Sequence, residues 1–255
     1  KTTTAVNLAA ALALKKKSRI LLVDADPQGH ASGCLSGIVD GAEGAGLADM
    51  LPRRSADLSA VIVETELPSL SLVPAGTALQ AAEQSIAARI GRETVLKGLL
   101  EVPRSQFDYV VIDCPPSLSL LAVGGLVAAD AVLVPCEPSP LAICGLGSLI
   151  EGLADVRDRL NRSLQLLGVV QTRVDGRNKR QNREADEALR QTVGDHLLPV
   201  SISVSTDLAR ARTLGIPTVL SKPKSRAAEQ HLALAKAVRK RMEKRERATA
   251  AVAAG

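Results

Sequence analysis

Tyr109-Val110-Val111-Ile112-Asp113-Cys114-Pro115-Pro116-Ser117 is the stretch on which the fold turns. Four apolar residues, counting Tyr109, read as a short buried strand, and the run ends on a single acid followed by two prolines. A hydrophobic strand that delivers one carboxylate at its end is the Walker B arrangement, which places an acid beside Mg²⁺. Upstream, Arg19–Val23 (RILLV) is a second short apolar strand, closing on Asp24-Ala25-Asp26-Pro27-Gln28-Gly29. Carboxylates in such a Pro/Gly-rich loop can hold a metal-bound water or orient an attacking one, or simply cap backbone N–H groups in a turn. At the start of the chain, Lys1-Thr2-Thr3-Thr4 opens an Ala/Leu-rich helix that the pattern carries from Thr3 to the Lys triplet at Lys17. Lys-Thr at a helix start has a specific use: the amine reaches β- and γ-phosphates, the hydroxyl ligates Mg²⁺, and the helix N-terminus favours an anion. A solvated helix start explains the tripeptide alone equally well, but the ordered series of Lys-Thr, acid after the next strand and acid after a later strand is hard to produce by accident.

Working outward, Leu70–Pro74, Ala131–Val134 and Leu166–Val170 are further strand candidates, and helical patterns cover roughly 76–101, 118–129, 141–161, 179–193 and 225–246. The segment Gly29–Gly46 is Gly/Ser-rich and reads as mobile. This alternation predicts an α/β fold: a doubly wound, mostly parallel sheet with helices on both faces and ligands at the carboxyl ends of its strands. Residues 1–247 are expected to form one domain, and 248–255 a flexible Ala-rich tail.

Composition narrows the class. Aromatic residues are 1% of the 255, so the core must be built from Ala, Val, Leu and Ile, a mixture suited to helices on a parallel sheet. Cys34, Cys114, Cys136 and Cys144 form no CxxC pair and have no His at metal-ligand spacing, which reads as a reduced cytosolic chain with thiols used for packing. No stretch approaches the roughly 18 uninterrupted apolar residues of a membrane span. The net charge of +5 is concentrated between residues 222 and 247, where ten Lys/Arg face three Asp/Glu.

With these motifs in hand, the chain resembles the ParA/MinD group of deviant-Walker P-loop ATPases. The likeness is carried by KTTTAVNLAAALA, LLVDADPQGHAS, LVPAGTALQAAE, FDYVVIDCPPS, DAVLVPCEPS and GIPTVLSKPKSRAAEQHLALAKAV. DPQG with IDCPPS and the late G-x-P segment looks like ParA proper, of the compact kind without an N-terminal DNA-binding domain. The resemblance implies ATP and Mg²⁺ as cofactors. It makes Lys1 the phosphate-binding and catalytic lysine, Thr2 a Mg²⁺ ligand, Thr3 a further phosphate contact, Asp26 the residue that positions the hydrolytic water and Asp113 the acid that holds Mg²⁺ through a coordinated water. Asp24 is a supporting residue or a structural one. On the adenine side, Gln171-Thr172-Arg173 follows a strand, with Thr172 and Arg173 as candidates, and Ser203-Val204-Ser205 occupies the place where the family's loop holds base and ribose; neither copies the usual residues closely, and ordinary loop structure fits each equally well. Arg190 aligns by spacing with a family DNA-contacting arginine; Asp207 stands where the next is expected, and Arg210 and Arg212, a turn away, are candidate substitutes.

Family members read KGGxGKT, whereas this sequence begins at the second lysine of that motif. The first strand and most of the phosphate-binding loop are therefore expected to lie outside it, and the fragment as it stands is expected to hydrolyse ATP weakly or not at all. For the intact protein the resemblance implies an ATP-dependent homodimer that binds double-stranded DNA without sequence preference, a ParB-like stimulating partner, plasmid or chromosome partitioning, and a cytoplasmic, nucleoid-associated location. Alternatives are MinD-like positioning on a membrane surface, ParA-like positioning of protein cargo, a redox relative of nitrogenase iron protein, and a regulator without turnover. The terminal run Lys236, Arg239, Lys240, Arg241, Lys244, Arg245 and Arg247 has only Val238, Met242 and alanines opposite it, which favours a solvated basic helix or a DNA contact over stable membrane association.

Overall fold

A computed structural model describes residues 1–14, 18–40 and 44–253. In chain order it contains α1 (Thr2–Ala13), β1 (Ile20–Asp24), α2 (His30–Gly33), α3 (Leu47–Met50), β2 (Val63–Glu64), β3 (Leu70–Val73), α4 (Leu79–Ile86), α5 (Val95–Leu99), α6 (Glu101–Gln106) and β4 (Tyr109–Asp113). There follow α7 (Leu120–Ala128), β5 (Ala131–Cys136), α8 (Pro140–Arg159), β6 (Gln165–Val174), α9 (Lys179–Val193), β7 (Leu197–Ser203), α10 (Thr206–Leu214), α11 (Thr218–Ser221) and α12 (Arg226–Ala253).

The strands form two sheets among the described residues, in the orders β2-β3-β1-β4 and β5-β6-β7. All pairings are parallel except β2 with β3. The mostly parallel framework predicted from the sequence is thus present, the described strands falling into these two sheets.

Burial on both faces follows from the period-two geometry of strands. In β1, Ile20 and Leu22 join one core with α1, α2, α11 and α12, while Leu21 and Val23 join a second with α3, α4, α5 and α7. Both cores are aliphatic: Leu12, Leu21, Leu22, Leu35 and Leu72 are fully buried, each such side chain stabilising the fold by about 1.5–3 kcal/mol. The first core also takes in Val170, Leu198 and Ile202, so α1 and α12 cover strands of both sheets. A third cluster sets Leu146, Leu189 and Val193 of α8 and α9 against Val134 and Val169.

Several elements differ from the sequence reading. The single helix expected over 76–101 is broken where Gly91 adopts a φ of 72°, a left-handed conformation that suits glycine and ends a helix. Strand β7 went unread because Pro199 interrupts it; the proline is tolerated because β7 is an edge strand of its sheet. α12 runs to Ala253, so residues 248–253 are helical rather than a flexible tail, consistent with alanine's high helix propensity. The Lys triplet at 15–17, part of the Gly/Ser-rich segment (41–43) and residues 254–255 lie outside the described residues.

Candidate functional site

Parallel pairing of β1 with β4 sets Asp24 beside Asp113 in register and brings both acidic loops to one sheet end. The chain then crosses between them, as the Ala25 amide donates to the Asp113 carbonyl at 2.9 Å. The first turn of α1 meets the same place: Lys1 is its N-cap residue, without a side-chain cap of its own. Lys1, Thr2, Asp26 and Asp113 are thereby brought together from sequence positions more than a hundred residues apart.

The three acids have different environments. Asp24 is fully buried and committed to its neighbours: Oδ2 accepts from the Ser32 amide and hydroxyl, both at 2.7 Å, and Oδ1 accepts from the Asp26 amide at 3.3 Å. Of its two readings, the structural one describes these contacts. Asp26 is also buried, and its Oδ1 accepts from the Gln28 amide at 2.9 Å, closing a tight turn that places Gly29 in the left-handed region. Asp113 is buried too, yet its Oδ2 has no hydrogen-bond partner. Burial pushes the Asp113 carboxyl up to about 6, against the pull of the Thr2 hydroxyl beside it, with Asp24 and Asp26 adding repulsion. Burial lowers the Lys1 amine, while Asp113 and Asp26 favour its charged form.

An orphaned, buried carboxylate oxygen next to a hydroxyl and further carboxylates is the environment a hard cation relieves. Among the described residues no three His, Cys, Asp or Glu side chains converge as a metal cage. Mg²⁺ suits such a sparse set, since it keeps several waters and is commonly held by one or two protein oxygens together with phosphates. Over the first turn of α1 lies a cavity of about 200 Å³ lined by Lys1, Thr2, Thr3, His30, Cys34 and Arg212.

The candidates for base and ribose form a second group at the ends of β6 and β7, joined by a bond from the Val204 amide to the Val174 carbonyl at 3.1 Å. Their polar atoms are largely engaged. Ser203 exchanges two bonds with Gln230, Ser205 caps α10 by accepting from the Asp207 amide, and Thr172 Oγ1 lies 3.5 Å from the Cys136 carbonyl. Arg173 pairs with Glu137 at 3.4 Å and holds a φ of 58°, unusual for a residue with a side chain. Val204 is exposed.

The arginines assigned to DNA do not form one patch. Arg190, on α9, is exposed but paired with Asp186 at 2.7 Å. Arg210 and Arg212 are two residues apart on α10 and so do not share a helix face; Arg212 turns to the cavity above α1, which the spacing of the sequence gave no means to foresee. In the basic C-terminal helix, Arg241 donates to the carbonyls of Leu167, His196 and Asp195, and Arg245 approaches Asp130, which also pairs with Arg104. Among the thiols, Cys34, Cys114 and Cys136 pack as expected, burial pushing Cys114 up to about 12, whereas Cys144 is exposed and serves no packing role.

A parallel framework with helices on both faces, a Lys-Thr helix start and two acidic strand ends defines a nucleoside-triphosphatase of the P-loop class. The chain matches the family model described as AAA domain over residues 1–166, and it belongs to the ParA/MinD-type P-loop ATPases within that class. It is 38% identical over 238 residues to the sporulation initiation inhibitor protein Soj of Bacillus subtilis, covering 93% of this chain and 92% of Soj. It is likewise 38% identical over 240 residues to the chromosome partitioning protein ParA of Caulobacter vibrioides, covering 93% of this chain and 88% of that protein. Among solved structures, cobyrinic acid a,c-diamide synthase from Mycobacterium smegmatis with bound ATP analog and magnesium superposes with a TM-score of 0.74 at 32% identity, covering 95% of this chain and 90% of that one.

Proposed function

We propose that this protein is a ParA-like ATPase whose nucleotide state drives DNA partitioning: ATP and Mg²⁺ bind at the ends of β1 and β4, two subunits associate, and the dimer binds duplex DNA non-specifically until a ParB-like partner stimulates hydrolysis. Residues 1–247 act as one domain in this reading, nucleoid-associated when ATP-bound. The observation that carries it is the convergence of Lys1, Thr2, Asp26 and Asp113, with an unpaired buried oxygen on Asp113.

Bound Mg²⁺ and ATP supply the electrophilic phosphorus and the ADP leaving group. Lys1 holds the terminal phosphates at the N-terminus of α1, where the helix dipole also favours an anion. Thr3 would add a phosphate contact, and Thr2 and Asp113 would hold the cation. Asp26, fixed by its turn, orients the water that attacks. Thr172, Arg173, Ser203, Val204 and Ser205 border the base and ribose; because their polar side chains are mostly engaged, backbone groups and Val204 are the available surface there. Arg190 contacts DNA phosphates after releasing Asp186, a change of small cost for an exposed pair.

A membrane-surface role would need a free apolar face on α12. Leu234, Ala235 and Val238 are instead buried in the core with α1, and no helix among the described residues is long and apolar enough to cross a membrane. The deciding experiment is duplex DNA binding by the full-length protein in ATP against ADP at two salt concentrations. The expected result is ATP-promoted binding that weakens steeply with salt, with Arg190→Ala lowering the log–log salt slope by about 1. Binding in neither nucleotide would remove the DNA-partitioning reading.

A further inference from the structure

We infer that Arg212 is a phosphate-contacting residue of the nucleotide site, supplied from α10 to complete the cationic wall of the cavity above α1; this rests on the nucleotide reading given above. Three observations carry it. Arg212 lines that cavity of about 200 Å³ together with Lys1, Thr2 and Thr3, a space of the size of the polar end of a nucleotide rather than of the whole of it. It also borders the neighbouring crevice formed by Thr3, Asn7 and Ile216, so its side chain runs along the first turns of α1. Among the described residues no carboxylate pairs with Arg212, in contrast to Arg190, Arg177 and Arg180.

The arginine is held there by the backbone. α10 ends at Gly215, whose φ of 65° turns the chain so that its carbonyl accepts from the Gly37 amide at 3.0 Å. The two glycines touch so closely that a Cβ on Gly215 would collide with the Ser36 hydroxyl and lie 2.5 Å from the Gly37 nitrogen, and one on Gly37 would collide with the Leu214 carbonyl. This contact ties the C-terminal end of α10, three residues beyond Arg212, to the segment after α2 that carries Cys34. Arg212 is therefore presented to the cavity with little conformational freedom left in its backbone, which is the condition for a useful charge-assisted bond to phosphate. Ser205, a member of the second group of nucleotide candidates, also caps the start of α10, so one helix joins the two groups.

The test is calorimetric titration of the full-length protein with ATP and with ADP in Mg²⁺, comparing wild type, Arg212→Ala and Arg212→Lys, alongside duplex DNA binding at ATP concentrations that saturate each variant. Arg212→Ala is expected to weaken both nucleotides roughly tenfold or more, with partial recovery in Arg212→Lys, an unchanged melting temperature without nucleotide, and normal DNA affinity at saturation. Nucleotide affinity within about twofold of wild type would overturn the inference, since a charge-assisted bond is worth more than that. DNA affinity that falls at saturating ATP while nucleotide affinity holds would overturn it in favour of a DNA contact. A wild-type protein that binds neither ATP nor ADP would remove the nucleotide reading itself, and this inference with it.

Discussion

The end of β4 and the ends of β6 and β7 are both clusters of polar residues after parallel strands, but they differ in how those residues are occupied. At β4, Asp113 is buried with one oxygen unpaired and a carboxyl raised to about 6. At β6 and β7, Ser203 is satisfied by Gln230, Ser205 caps a helix and Arg173 has Glu137. Burying an unpaired polar group costs stability, and one that stands at a strand end among other acids is placed where a bound cation can complete it. Satisfied groups carry no such signal, and their positions are explained by the fold alone.

Asp113→Asn gives the largest effect. If Asp113 holds the cation as proposed, its loss from the full-length protein is expected to lower ATP hydrolysis at least about a hundredfold, given that a catalytic cation contributes several kcal/mol of transition-state stabilisation. Stability without nucleotide should move the other way. Because the folded-state pKa is above the ordinary carboxylate value, the folded protein takes up a proton between pH 3.8 and about 6, so stability falls as pH rises through that window and the cost is fully present above it. Removing the charge should therefore stabilise the nucleotide-free protein at neutral pH by about 3 kcal/mol, measured by urea unfolding. A destabilised variant would mean that Asp113 is structurally paired after all, and the two strand ends would then be alike.

Asp24→Asn tests the same contrast within one loop. Asp24 and Asp113 sit side by side in register, but Asp24 accepts three hydrogen bonds. An amide there must turn its NH₂ toward a donor or give up an acceptor, an expected loss of about 2 kcal/mol in the same unfolding measurement, set against the relief of a charge that burial disfavours, since burial raises the Asp24 carboxyl while the Ser32 and Asp26 bonds pull it back. Opposite signs at two neighbouring acids would sharpen the distinction between a structural carboxylate and a functional one.

The basic C-terminal helix divides in the same manner on a smaller scale. Arg241 is tied to three carbonyls of the β6–β7 region, whereas Lys240 is exposed and has no ion pair among the described residues. Arg241→Ala should cost about 1–2 kcal/mol in chemical denaturation and Lys240→Ala less than about 0.5. Equal effects would show that the run acts as one charged surface.

What the sequence made legible follows from local signals. The strands β1, β3, β4, β5 and β6 are apolar runs ending in punctuation, and the Lys-Thr start with acids at 26 and 113 needs only order along the chain to be read. β7 was hidden because Pro199 is acceptable only on an edge, and edge position is a property of the sheet. Arg212 was read with Arg210 because spacing cannot report that the Gly37–Gly215 contact swings α10 over α1. Arg241 and Arg245 read as surface charge, although their partners lie some 45–115 residues away.

The smallest effect belongs to His231, a polar group buried in the core rather than at a strand end. It is fully buried on α12; Nδ1 lies 2.7 Å from the Ala227 carbonyl and Nε2 has no partner, as is also true of the Thr218 hydroxyl on the adjoining α11. Burial lowers its pKa below 6.5, and the Ala227 bond only partly opposes this. Below pH 6.5 the unfolded chain takes up a proton that the folded one refuses, so His231 contributes no penalty above that value and an increasing one as pH falls toward its lowered folded pKa. His231→Leu should leave stability near pH 8 within about 1 kcal/mol, because the size is similar and only one hydrogen bond is lost. It should flatten the decline as pH falls below 6.5, where each unit of pH otherwise costs up to about 1.4 kcal/mol. Midpoints of urea unfolding across that range check it. An unchanged slope would mean that a buried orphan away from the strand ends can be proton-neutral, and that only the orphan on Asp113 carries a charge the fold must accommodate.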